Sequence, residues 1–226
     1  MASILSIETS ASTCSVALHT KGVLVNTLEV AEPQAHASKL ALLIEEVLKS
    51  SGVPKEQLQA VAISSGPGSY TGLRIGTSMA KGLCMGLNIP LINASTLLAL
   101  ANHVAHAQSD KYLCPMIDAR RMEVYCQVFD SDLKEVTPTE AIVVDEHSLH
   151  ELLDARKVLF FGDGAEKCKK VIHHPNAEFV DGIYPQASFV GAVAWQQFNR
   201  NDFADLVEFT PFYLKEFVAK KAQPIF

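Results

Sequence analysis

Residues 64–76 constrain this chain more than any other stretch. They read Ser-Ser-Gly-Pro-Gly-Ser-Tyr-Thr-Gly-Leu-Arg-Ile-Gly. The apolar run Ala60, Val61, Ala62, Ile63 precedes them and predicts a buried strand, and residues 72–87 predict a helix. A glycine-rich turn therefore joins a strand end to a helix start. Glycine permits close backbone approach, and the free amides of a first helical turn carry partial positive charge. Two readings stand: an anion site for a phosphate or carboxylate, with Gly66 and Gly68 at its centre, or a tight strand-to-helix connection. The turn lacks both the Gly-Lys-Ser/Thr ending of a Walker loop and the Gly-x-Gly-x-x-Gly spacing of a dinucleotide fingerprint.

Around this turn the pattern repeats. Strands are expected at 4–8, 14–19 and 23–30, the last two joined at Lys21-Gly22. A helix follows at 38–50, closed by Ser51-Gly52 and Pro54, then the strand at 60–64, the glycine turn, its helix, and a strand at 90–93. Ser95 is placed to cap a helix reaching 107. The order restarts with strands at 112–117, 123–129 and 141–144, a helix at 146–154 and a strand at 158–161. A second glycine turn, Gly162-Asp163-Gly164, leads to a helix at 165–172, a strand at 178–180 and a helix at 188–199. Two copies of β-β-β-α-β-α-β-α predict an α/β protein of two similar lobes with mixed sheets. The expected division is 1–108 and 109–226, with a hinge near Gln108 to Lys111.

Composition limits the partners. A net charge of -6 argues against tight stand-alone nucleic-acid binding. Cys14, Cys84, Cys114, Cys126 and Cys168 form no Cys-x-x-Cys pair, so buried reduced thiols are expected. No apolar run reaches the roughly 18 residues of a membrane span, and no charged signal region opens the chain. A cytoplasmic protein with no membrane partner is the expectation. His103 and His106 could share a helix face, but a zinc site needs more ligands than that, and no metal site is expected.

Four segments together resemble one family. They are the opening Ile4-Leu5-Ser6-Ile7-Glu8-Thr9-Ser10-Ala11-Ser12-Thr13-Cys14, the glycine turn, His36-Ala37-Ser38-Lys39-Leu40, and Asp118-Ala119-Arg120-Arg121-Met122-Glu123-Val124-Tyr125. They are similar to the TsaB (YeaZ) family, the non-catalytic partner of the transferase TsaD in bacterial tRNA threonylcarbamoyladenosine synthesis. The likeness covers residues 1–130. It implies the actin-like, sugar-kinase-like ATPase fold with two ribonuclease-H-like lobes. TsaD-type proteins carry Asn-His-x-x-x-His after the strand that follows the glycine-turn helix. Here that place reads Asn93-Ala94-Ser95-Thr96-Leu97-Leu98, with neither histidine present and an alanine and a leucine that cannot ligate a metal, and Ser12 stands where an acidic residue is expected. The resemblance therefore implies no catalytic residue and no required cofactor.

It also implies a scaffold that binds a TsaD homologue, engages a TsaE-type ATPase through that pair, meets tRNA indirectly and forms a homodimer when alone. ATP or ADP has a place at the partner junction. The competing reading is a stand-alone ATP-binding or acyl-transfer enzyme of the same fold. Leu40, Leu43, Ile44 and Val47 form an apolar stripe on the first long helix, widened by its alanines. With His36, and with Tyr70, Leu73, Arg74, Thr77 and Lys81 on the next helix, they are the expected partner interface. A well-covered internal helix is the competing account of that stripe. Thr9, Ser10 and Ser12 lie at the loop where the fold family holds phosphates, and an ordinary hairpin turn explains them equally. Arg120 and Arg121 await either an anion or acidic partner, or a salt bridge between lobes.

Overall fold

The computed structural model describes residues 2–32, 35–105 and 110–215. The first sheet holds β1 (Ser3–Glu8), β2 (Cys14–Thr20), β3 (Val23–Val30), β4 (Leu58–Ser64) and β5 (Leu91–Ala94), in the order β3-β2-β1-β4-β5. β1–β2 and β2–β3 pair antiparallel, while β1–β4 and β4–β5 pair parallel. The parallel pairs need crossover helices. These are α1 (Ala35–Ser51), between β3 and β4, and α2 (Tyr70–Leu87), between β4 and β5.

The second sheet repeats the plan. Its strands are β6 (Tyr112–Asp118), β7 (Glu123–Cys126), β8 (Glu140–Val143), β9 (Val158–Phe161) and β10 (Ala177–Phe179), in the order β10-β9-β6-β7-β8. With β6 in the place of β1, the order and the parallel or antiparallel sense of each pair match the first sheet.

Helices form layers around the two sheets. α1 and α2 cover one face of the first sheet in a core that includes Leu5, Ile7, Val16, Leu40, Val47, Val61 and Ala80. α6 (Ala187–Asn199) packs on its other face through Val190, Val193 and Ala194. α3 (Thr96–Ala105) is apolar nearly all round because it is wedged between the sheets. Ala99 joins the first-sheet core, while Leu97, Leu100 and Val104 join Leu113, Ile117 and Phe161 of the second. α4 (His150–Ala155) and α5 (Ala165–Cys168) cover the far face of the second sheet through Leu153, Ala165 and Cys168.

Several boundaries differ from expectation for local reasons. α4 starts at His150 rather than 146. Asp145 Oδ1 accepts the His147 N–H (3.0 Å) and the Ser148 hydroxyl (2.9 Å), a local competitor of the helical ladder. α5 stops at Cys168, because Val171 and Ile172 turn out of the helix and Ile172 drops into the core. β7 ends at Cys126, and Phe129 bridges back to Leu113 instead. The expected cap is present, with the Leu98 N–H donating to Ser95 Oγ at 3.3 Å. The 108/109 division and His106 lie outside the described residues. His103 lies on the α3 surface with its ring stacked 3.8 Å from Phe189.

The chain beyond α6 returns to the first sheet. Ala204 bridges the β5 edge at Leu91, the Phe212 N–H donates to the Ser65 carbonyl (2.7 Å), and Tyr213 packs 4.7 Å from Tyr70.

Candidate functional site

The glycine turn is filled by the chain itself. Ser10 O accepts the Ser69 N–H at 2.6 Å, and Ser69 Oγ caps α2 by accepting from the Gly72 N–H at 3.3 Å. A Cβ on Gly68 would lie 2.5 Å from the Ser10 carbonyl oxygen. One on Gly72 would strike the Thr9 carbonyl, and one on Gly76 the Thr9 hydroxyl. The row Gly72, Gly76, Ala80 is thus the close-approach face of α2 toward the loop after β1 and the sheet. Gly66 has φ +105° and faces the Phe212 carbonyl oxygen, 2.8 Å from where its Cβ would stand. Of the two readings of Gly66 and Gly68, the close contacts are those of a tight strand-to-helix connection, in which the helix start meets a backbone carbonyl and a capping hydroxyl. The positive φ belongs to Gly66, while Gly68 is required by space.

The loop after β1 is equally closed. Thr9 and Ser10 are fully buried and their hydroxyls lack hydrogen-bond partners among the described residues, while Ser12 is exposed. Glu8 is buried, with Oε1 accepting the Ser10 N–H (2.5 Å) and the Ser64 hydroxyl (2.9 Å). Burial raises its pKa, those donors oppose the shift, and Asp163 of the second glycine turn adds repulsion. Burial also pushes Asp163 up to about 6, against the Asp118 N–H that its Oδ1 accepts at 3.2 Å. The Asp163 carboxylate thus reaches the buried Glu8 across the lobes. The Ser10 carbonyl of this loop is spent on the start of α2 and its N–H on Glu8.

The outer helix layer differs. Leu40, Leu43, Ile44 and Val47 are buried in the first-sheet core, and Leu73 and Thr77 of α2 are buried as well. This corrects their placement in a partner interface: they hold the helices to their own sheet. His36 is half-buried, with Nε2 buried and unpartnered among the described residues. Tyr70 packs on Tyr213 and accepts from Arg74 Nη1 at 3.2 Å. Lys81 Nζ donates to the Val207 carbonyl at 3.0 Å, so it fastens the C-terminal segment. Of the predicted side chains on α2, Arg74 is the one whose residue is exposed.

Between the helices lies an open groove of about 590 Å³ lined by Ala37, Arg74, Ile75, Ser78, Met79, Gly82 and Leu83. Leu42, 57% exposed, and Met85, 72% exposed, extend the apolar surface of the same two helices. Gly82 and Gly86 have open space where a Cβ would stand. The four-residue spacing of those two glycines was visible in the sequence and marks this smooth face. Sequence alone did not say which side of α2 it occupies.

Comparisons with known proteins agree with this architecture. The family model TsaD, described as tRNA N6-adenosine threonylcarbamoyltransferase, matches residues 29–223. The chain is 30% identical over 228 residues to the Escherichia coli tRNA threonylcarbamoyladenosine biosynthesis protein TsaB, covering 98% of each. It is similar to the solved structure of YeaZ from Pseudomonas aeruginosa, with TM-score 0.82 and 25% identity over 95% of this chain and 100% of that one. The activator of the 2-hydroxyisocaproyl-CoA dehydratase from Clostridium difficile, at 10% identity and TM-score 0.55 over 88% of this chain and 95% of that one, shares the fold alone. The α/β class with two mixed sheets and the actin-like, sugar-kinase-like fold follow from these likenesses. No helix among the described residues is long and apolar enough to cross a membrane.

Proposed function

We propose that this chain, which belongs to the TsaB (YeaZ) family, acts in tRNA threonylcarbamoyladenosine biosynthesis as a non-catalytic subunit that binds a TsaD homologue. The observation that carries the reading is the open apolar groove between α1 and α2, on a chain whose would-be phosphate turn is filled by its own backbone. Ile75, Met79, Leu83 and the exposed Met85 offer apolar surface, and Arg74 gives the groove a charged edge. Two helices from each partner would make a four-helix bundle there. The same face would serve a homodimer when the chain is alone.

The places of the TsaD metal histidines support a non-catalytic role. Ala94 is buried, Leu98 packs its apolar side chain against the clusters on both sides of α3, and Ser95 Oγ caps that helix. In this reading the chain works in the cytoplasm and holds its partner in a competent arrangement, and the pair engages a TsaE-type ATPase. It meets tRNA through the complex. ATP or ADP held at the subunit junction would draw its phosphate contacts from the partner, since Thr9, Ser10 and Gly68 are packed on one another.

The test is Ser78→Arg with Gly82→Arg. Both positions are exposed on α2, so circular dichroism should report a folded chain. Co-purification with the TsaD homologue and the tRNA modification of the reconstituted set should both be lost. A folded double variant that pairs and supports modification like wild type would overturn the reading, as would threonylcarbamoyl transfer by the isolated chain.

A further inference from the structure

The turn between β6 and β7 holds Arg120 and Arg121 at φ 68° and 52°. That left-handed region suits glycine and asparagine and disfavours other L residues. Two consecutive arginines there are therefore not chosen for local stability, and strained positions gather where a side chain has work to do. Both residues are exposed, and neither guanidinium has a salt-bridge or hydrogen-bond partner among the described residues. An interlobe salt bridge, one of the two readings of these arginines, is not made among the described residues.

The acids beside them are already taken. Asp118 pairs with Lys167 and accepts the Arg120 N–H at 2.9 Å, and Glu123 pairs with Lys215. Lys167 Nζ also donates to the carbonyls of Arg121 and Glu123, both at 2.7 Å, so it fastens the turn from beneath. The result is two positive charges, unpaired among the described residues, on an anchored turn of a chain whose net charge is -6.

We propose that Arg120 and Arg121 contact the phosphate backbone of tRNA in the assembly, fixing where the RNA passes the second lobe without reading its sequence. The inference rests on the proposed function, which supplies the RNA. Phosphate contacts position a nucleic acid and need no apolar surround. An acidic protein face would need one, and the exposed apolar side chains flanking the turn, Met122 and Val143, fall far short of an interface of about 1,600 Å². A two-arginine contact is also compatible with the acidic chain, because it adds to a site made elsewhere in the complex.

The experiment measures tRNA affinity of the complex with the TsaD homologue across salt, for wild type and for Arg120→Asn with Arg121→Gly. These residues fit the left-handed turn, so the variant should melt no lower than wild type and still pair with its partner. Losing two phosphate contacts should lower the slope of log K against log salt by about 2. The wild-type advantage in affinity should then shrink about 10-fold between about 50 and about 200 mM salt. If the variant melts lower, Arg120→Gln with Arg121→Gln is measured in its place. A pairing-competent variant with unchanged affinity and slope overturns the inference and leaves the proposed function standing. Loss of pairing instead of RNA affinity overturns it in favour of an acidic protein face. If the wild-type chain pairs with no TsaD homologue, the proposed function fails first and takes this inference with it.

Discussion

Asp163→Asn should stabilise the protein at neutral pH and leave it unchanged in acid. Asp163 sits between Gly162 and Gly164, and burial lifts its pKa from 3.8 to about 6, helped by the Asp118 carboxylate. An acid with a raised folded-state pKa keeps its proton in the native state after the unfolded chain has lost it. Stability therefore falls as pH rises from about 4 to about 6, and the loss persists above that window. The difference between the two values corresponds to about 3 kcal/mol at most, at about 1.4 kcal/mol per pH unit. Asparagine keeps an oxygen for the Asp118 N–H and removes the charge. Glu8 is repelled by the same carboxylate, so its relief has the same sign. The expected gain at pH 7.5 is about 1–3 kcal/mol, which for a chain of this size raises Tm by about 2–4 °C per kcal/mol. Thermal melts of wild type and variant across pH 4 to 8 measure it. A variant no more stable than wild type at pH 7.5, or one equally stabilised at pH 4, would refute the account of Asp163 as a buried, ionised cost.

Three further outcomes follow from packing. Gly68→Val should lose about 1–3 kcal/mol in urea unfolding, because its Cβ would meet the Ser10 carbonyl at 2.5 Å. Gly82→Ala should instead gain up to about 1 kcal/mol, since its Cβ enters open space on a helix; equal effects from the two changes would contradict the assignment of the two glycine rows. The five cysteines are free and buried, and burial pushes Cys14, Cys84 and Cys168 to about 11. A thiol reagent at pH 8 should react slowly with native protein and count five groups after denaturation, and a lower count in fresh protein would indicate a bridge.

The element order was legible because the breakers are strong. Lys21-Gly22 closes a hairpin, Ser95 caps a helix, and Ser51-Gly52 with Pro54 ends one. What stayed hidden was direction. Periodicity placed Leu40, Leu43, Ile44 and Val47 on one stripe, but a stripe does not say whether a sheet or another protein covers it, and the sheet does. The groove residues Ser78 and Met79 carried no signal, because small and half-buried side chains fit either side of a helix. The segment after α6 was also illegible. Ala204, Phe212 and Tyr213 reach the first sheet by isolated backbone bonds and one ring contact, with no repeating pattern to read.

The two glycine turns share a cause that neither motif shows alone. In each lobe the turn leaves a strand that is the parallel neighbour of the central one: β4 beside β1, and β9 beside β6. A chain turning there into a helix must cross the end of that central strand. In the first lobe Gly68 and Gly72 meet the carbonyls of Ser10 and Thr9, just past β1. In the second, Gly162 meets the Met116 carbonyl, and Gly164 would bring a Cβ within 2.9 Å of the Ile117 backbone, at the end of β6. The repeat therefore extends to which backbone each turn touches. In this chain the glycines of both turns answer first to the geometry of adjacent parallel strands. An anion site at such a turn needs the neighbouring loop to stand away from the helix start, and here Ser10 gives its carbonyl to Ser69 instead.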